Sequence, residues 1–134
     1  MTERQRAAGT IAVNTYEPTT YDQPPDAPAL VEIHVTEGFS GDITANGTVR
    51  FLQTLRADGS ASFCGIERVV GTLAGRSGSF LLQDAGTVAG SRVTGNWFVV
   101  PDSASGELSG LRGEGGFEAE LGQNARWTLD YWFE

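Results

Sequence analysis

Glu67 is the residue of this sequence best suited to moving a proton. It lies in Phe63-Cys64-Gly65-Ile66-Glu67-Arg68-Val69-Val70 and shares alternating register with Phe63, Val69 and Leu73. That places its carboxyl on an apolar face. Full burial raises a carboxyl pKa by as much as ~3–5 units, which makes it a general acid at neutral pH, or a base if a neighbour restores its charge. In the competing reading Glu67 pairs with Arg68 or Arg76, or turns to solvent through bulges at Gly65 and Gly71. Tyr131 shares a face with Trp127, Leu129 and Phe133. It is a candidate donor to a ligand oxygen, or a core tyrosine with its hydroxyl satisfied at a rim. Gln53 lies with Val49, Phe51 and Leu55, and Gln83 shares parity with Leu81; both could orient a ligand carbonyl or bond each other. Trp97, Trp127 and Phe51 would form an aromatic wall. Arg112, in a Gly-rich stretch, is a candidate clamp for an anionic group.

Other chemistries are excluded by what the chain lacks. There is no Lys, so Schiff-base catalysis, a P-loop lysine and a Ser–Lys dyad are out. Cys64 is the single cysteine, too few for an internal disulfide or a thiolate zinc cage. His34, the single histidine, sits between Glu32 and Thr36 on a polar face and reads as a surface residue. No catalytic triad or multi-histidine metal site assembles around it, and no cofactor or metal is expected. Gly75-Arg76-Ser77-Gly78 lacks the spacing of a nucleophile elbow, and the Gly-rich run from Gly110 lacks the βαβ context of a dinucleotide loop. Net charge is −8 with nine scattered arginines, the wrong balance for nucleic acid or an anionic membrane surface. With no signal-peptide h-region and no transmembrane-length apolar run, the protein is expected to be cytoplasmic.

The elements that must position these residues are strands. Alternation dominates and helical periodicity is nearly absent. Strands are expected at Thr10–Tyr16, Ala29–Val35, Thr48–Arg56, Ser62–Ala74, Ser79–Thr87, Ser91–Val100, Phe117–Leu121 and Ala125–Glu134. Residues 1–8 are expected to be a flexible N-terminus, and the Pro-rich 17–28 a loop over a barrel mouth. Asp58-Gly59 predicts a two-residue primed hairpin turn, and Gly75–Gly78 a second turn. The Gly/Ser-rich 102–116 reads as a compact loop anchored by Leu108 and Leu111, with room for one short strand or helical turn. About eight strands at hairpin spacing in 134 residues predict one all-β domain, a small antiparallel eight-stranded β-barrel of lipocalin-like (calycin) architecture. Such a barrel holds either packed side chains or one small ligand.

Gly65-Ile66-Glu67-Arg68-Val69-Val70-Gly71, Gly75-Arg76-Ser77-Gly78-Ser79-Phe80, Asn96-Trp97-Phe98-Val99-Val100-Pro101, Gly106-Glu107-Leu108-Ser109-Gly110-Leu111-Arg112-Gly113-Glu114-Gly115 and Leu129-Asp130-Tyr131 together resemble the DUF3224 family. The resemblance runs from about Ile11 to the end. It implies a barrel similar in fold to allene oxide cyclase and dirigent proteins, with a ligand-sized interior. The family is one of unknown function and brings no catalytic residues with it. Asp84 stands where its pattern commonly has His. The resemblance and Glu67 together suggest a cofactor-independent cyclase or isomerase of specialised metabolism, acting on a small hydrophobic molecule in the lumen. Two other readings stand beside it: a barrel that sequesters such a ligand unchanged, and a structural barrel with a filled interior. Phe98, Val100 and Trp132, on nominally outer faces, would serve a homo-oligomer.

Overall fold

The structure, a computed structural model, describes residues 3–134. Its strands are β1 (Gln5–Asp22), β2 (Ala29–Gly41), β3 (Ile43–Leu55), β4 (Ala61–Leu73), β5 (Arg76–Ala89), β6 (Arg92–Val99), the two-residue β7 (Ser105–Gly106), β8 (Leu111–Glu120) and β9 (Ala125–Phe133). Every pairing is antiparallel: β1–β2, β2–β3, β3–β4, β4–β5, β5–β6, β6–β8, β8–β9 and β9–β1. The circuit closes an eight-stranded barrel, which leaves no free sheet edge over the stretch where β1 and β9 pair. β7 is extra, and pairs with the part of β5 beyond the end of β6. Among the described residues no helix is long and apolar enough to cross a membrane.

Period-two burial dictates which residues face the interior. On β2, β3 and β4 the odd-numbered residues point inward; on β5 the even ones, and on β6, β8 and β9 the odd ones again. One end of the tube is packed solid by Phe39, Ile43, Val69, Leu73, Phe80, Leu82, Trp127, Leu129 and their neighbours. Its base is closed by the 100–110 segment, which buries Leu108 and donates the Glu107 N–H to Ser77 O at 2.8 Å. Interior glycines make room for large rings. A methyl at Gly95 would lie 2.3 Å from the Phe117 ring, and one at Gly86 2.6 Å from the Phe63 ring.

Two expectations about the N-terminal region are corrected. Residues 5–8 are strand: they pair with Tyr131–Thr128 of β9, and Arg6 grips Asp130 with two hydrogen bonds of 2.8 and 3.2 Å, while residues 1–2 of that expected terminus lie outside the described residues. Nor is 17–28 all loop. β1 continues to Asp22 against β2, with irregularities between Val13 and Thr15 and between Thr20 and Asp22, and only residues 23–28 turn the chain. Pro18 is compatible because this half of β1 is an edge, paired on one side alone. Two turns also differ. The β3–β4 connection is not a two-residue turn but a loop over residues 56–60, with the Arg56 N–H donating to Ser60 O and Asp58 Oδ1 accepting from the Ser60 N–H. The β4–β5 turn is Ala74–Gly75, both at positive φ, so β5 already starts at Arg76.

Trp127 holds the β1–β9 seam shut. It is 1% exposed, seats its ring over Gly9, donates its indole N–H to Thr10 O at 3.1 Å, and meets Phe39 edge-on. Trp127→Ala should cost ~3–5 kcal/mol in urea unfolding, the range for truncating a large buried aromatic; a loss below ~1 kcal/mol would mean the seam does not depend on it.

Candidate functional site

The end of the barrel opposite the packed core is hollow. β9 begins at Ala125, paired with Ile11, whereas β1 continues to Asp22 with β2 as its one partner. The wall therefore parts between Val13 and Tyr16 on one side and the Leu121–Asn124 turn on the other. A cavity of about 430 Å³ opens there. Its walls are apolar and aromatic: Ile33, Val35, Phe51, Phe63, Trp97 and Phe117, with Gln53 beside them. Phe51 and Phe63 meet edge-on at 5.2 Å, and Trp97 lies 5.1 Å from Phe117. The Trp97 indole N–H is held by Thr128 O at 3.0 Å, which fixes the ring.

Three carboxyls reach this cavity where it meets the packed core: Glu37 of β2, Glu67 of β4 and Asp84 of β5, exposed by 9%, 1% and 3%. Glu37 and Glu67 meet across Gly47. A methyl at Gly47 would fall 2.1 Å from Glu67 Oε2 and 2.9 Å from the Phe39 ring. The missing side chain is thus the space that the Glu67 carboxyl occupies. Gly65 plays a similar part for Asp84, whose Oδ1 lies 3.1 Å from where a Gly65 methyl would stand. Glu67 Oε2 and Asp84 Oδ1 receive no hydrogen bond from any N–H or hydroxyl donor among the described residues. For Glu67 the remaining contact is a proton shared with Glu37, neutral Glu67 donating and Glu37 accepting.

No Arg or His lines the cavity, so nothing there offsets the negative charge. Burial, then the hydrogen bond and charge of Glu37 and the charge of Asp84, push Glu67 well above the ordinary carboxylate range. Glu37 is raised by burial, with the bond from Glu67 opposing. Asp84 is pushed up to about 7, by burial first and the Glu37 charge second. At neutral pH the group therefore holds protons and includes one carboxyl, Asp84, poised between its two forms. That is the acid–base equipment general catalysis needs. Among the described residues no three His, Cys, Asp or Glu side chains converge closely enough to hold a metal ion.

The residues singled out in the sequence fall into two sets. Glu67, Gln53, Phe51 and Trp97 face the cavity. Trp127 is inward but belongs to the packed core beyond it. Tyr131 is likewise in that core, 5% exposed, with its hydroxyl donated to Gln5 Oε1 at 3.0 Å, so it is not in a position to meet a cavity ligand. Gln83 is on the outer face, exposed, beside Ile66 and Phe98. The parity with Leu81 misleads because Leu81 points outward. Its backbone is covered by the 100–103 segment, with Val100 N–H bonded to Leu81 O and Ser103 Oγ accepting from Leu81 N–H. Arg112 is no clamp at a mouth. It points outward to Asp102 at 3.2 Å and to Glu134 at 4.0 Å, at the packed end. His34 lies on the outer surface paired with Glu32. Glu37 was not among the candidates, yet it follows Val31, Ile33 and Val35 and precedes Phe39 in the same inward register, and that polar break in an apolar row is its sequence signal.

These shifts make stability depend on pH in an unusual direction. The folded carboxyls keep protons that an unfolded chain, with pKa values near ~4, gives up. Their contribution is complete below about pH 4 and is lost as pH rises through the folded values, by up to ~1.4 kcal/mol per pH unit per group. Exposed carboxyls held low by partners, such as Glu118 by Arg126 and Asp130 by Arg6, act oppositely but only in acid. The urea midpoint should therefore fall between about pH 5 and pH 8, and Asp84→Asn should flatten the fall. A wild-type midpoint that is level or rising over that interval would contradict the site as described.

Comparison with known proteins agrees with the architecture. The sequence pattern of the family described as "Protein of unknown function (DUF3224)" matches residues 7–131. A crystal structure of a protein with unknown function from the DUF3224 family of Shewanella oneidensis MR-1 superposes with a TM-score of 0.84 at 31% identity, covering 98% of this chain and 99% of that one. A search of curated proteins gave no match. With nearly its whole length matched in sequence and in fold, the chain belongs to the DUF3224 family.

Proposed function

We propose that the hollow end of this barrel binds one small, largely apolar molecule and isomerises or cyclises it by proton transfer, without a cofactor. We take the protein to act in the cytoplasm, where its exposed thiol, Cys64, stays reduced. The observation that carries the reading is the placement of two buried carboxyls, Glu67 and Asp84, on an aromatic-walled cavity with no neutralising cation. A structural carboxyl at such depth is ordinarily paired.

Glu67, protonated, acts as general acid and gives its proton to the oxygen or carbon that gains charge. Asp84, in its ionised form, takes a proton from the position that loses one. The substrate gains and loses one proton, so the change is an isomerisation. The two carboxyls end with exchanged protonation and are reset by a proton passing between them through the lumen. Acid–base assistance of this kind is worth about 10²–10⁴ in rate. Fixed walls of Phe51, Phe63, Trp97 and Phe117 hold a flexible substrate in its reactive shape, where orientation contributes up to ~7–11 kcal/mol.

The test uses small apolar metabolites extracted from the source cells and incubated with the protein in heavy water. Proton-transfer turnover should yield an isomer carrying deuterium. Glu67→Gln and Asp84→Asn should each slow that product by about 100-fold or more while the ligand still co-purifies in native mass spectrometry. A ligand recovered unchanged and undeuterated from wild-type protein would make the barrel a carrier, not a catalyst.

A further inference from the structure

The cavity is built for one sign of charge. Of the chain's charged side chains, those that line it are acidic: Glu37, Glu67 and Asp84 at its depth and Glu120 at its mouth. Arg112 is half-buried against Asp102 and Glu134, and the other eight arginines are exposed on the outside. An anionic ligand would meet like charge with nothing to offset it. A neutral apolar ligand would bury Asp84 Oδ1 without a donor, and an unmet buried acceptor costs ~1–3 kcal/mol, more when it is charged. A ligand bearing an ammonium group removes that cost, since it brings both the missing donor and the missing charge. The walls suit it too, because the faces of Trp97, Phe51, Phe63 and Phe117 attract a cation by their quadrupoles. A bare metal ion is not the match, as no three ligating side chains converge among the described residues.

We infer that the ligand of this lumen is an organic cation: an amine or quaternary ammonium carried on an apolar body, its charge set against Asp84 and Glu67 and its body against the four aromatic rings. The inference rests on the reading of the lumen as a ligand site and narrows it to a chemical class. It also assigns Asp84 a place in recognition. Cation binding and proton binding compete at the same carboxyls, so the ligand displaces protons as it enters.

The test compares three probes of matched shape: 4-phenylbutylammonium, 4-phenylbutanol and 4-phenylbutyrate, titrated into the whole protein and followed by tryptophan fluorescence, to which Trp97 of the cavity wall contributes, and by calorimetry. At about pH 8 the ammonium should bind about tenfold or more tighter than the alcohol, a difference of ~1.4 kcal/mol, and the carboxylate should not bind. Lowering the pH to about 5.5, where the amine stays charged and Asp84 holds its proton, should weaken the ammonium alone and raise the number of protons that it displaces on binding. The titratable groups facing the cation are Glu37 from β2, Glu67 from β4, Asp84 from β5, Glu120 from β8 and Tyr16 from β1; β3, β6 and β9 present none. Asp84→Asn, an isosteric change whose fold is checked by circular dichroism, should bring the ammonium to about the affinity of the alcohol. An alcohol that binds as tightly as the ammonium, or an Asp84→Asn variant that still discriminates between them, overturns the charge preference and leaves the lumen reading standing. If none of the three binds and a hydrophobic dye is also refused, the charge preference and the lumen reading fail together.

Discussion

The structure depends on how far β1 and β9 stay paired. From Gln5 to Ile11 the two strands run side by side, and this seam turns a curved sheet into a tube with no open edge. Past Ile11, β9 has ended and β1 goes on with β2 alone, so the same pair that closes the barrel also opens it. Below the split, Trp127, Phe39, Leu129 and their neighbours fill the interior. Above it the walls stand apart, and Gly47 and Gly65 leave space for the carboxyls of Glu67 and Asp84. The hollow end is thus a consequence of unequal strand lengths, not of a loop laid over a finished barrel.

Three acids at the border of core and cavity would be untenable if all were ionised. Transferring unpaired carboxylates out of water costs several kcal/mol each, and like charges add to it. The barrel meets this by keeping protons: Glu67 neutral and bonded to Glu37, Asp84 near the middle of its titration. The sharing depends on Gly47, because any side chain there would collide with the Glu67 carboxyl. Stability and chemistry draw on one source. The burial that makes these groups costly to ionise also gives them proton affinities suited to catalysis near neutral pH.

Much of this was legible in the sequence. Clean alternation in Val31-Glu32-Ile33-His34-Val35 and in Trp127-Thr128-Leu129-Asp130-Tyr131 specifies strand, face and hence barrel, and Glu67 follows from its register with Phe63 and Val69. What the sequence hid has physical causes. Leu81-Leu82 gives two consecutive apolar residues, so the phase of β5 is ambiguous until the outer 100–103 segment is seen over Leu81. That ambiguity makes Gln83 read as inward, whereas Asp84 is the residue of β5 that faces the cavity. Tyr131 is inward, as its alternation says, but alternation carries no information on depth, and depth separates the packed end from the hollow one. The position of Arg112 is hidden for a similar reason, since which end of the tube a loop closes is a matter of topology. The prolines of 17–28 suggested a loop, whereas an edge strand tolerates Pro18 without losing a ladder bond.

Membership of a family of unknown function leaves the chemistry to be decided at these side chains. The most direct test of the account is a carbon-13 NMR titration of the carboxyl carbons of Asp and Glu, assigned with Glu37→Gln, Glu67→Gln and Asp84→Asn. The account predicts a small set of carboxyls that are still protonated when the rest have ionised. Asp84 should titrate at about 7 and Glu67 well above the ordinary range. A protein in which every carboxyl titrates between about 3 and 5, as unperturbed side chains do, would contradict it.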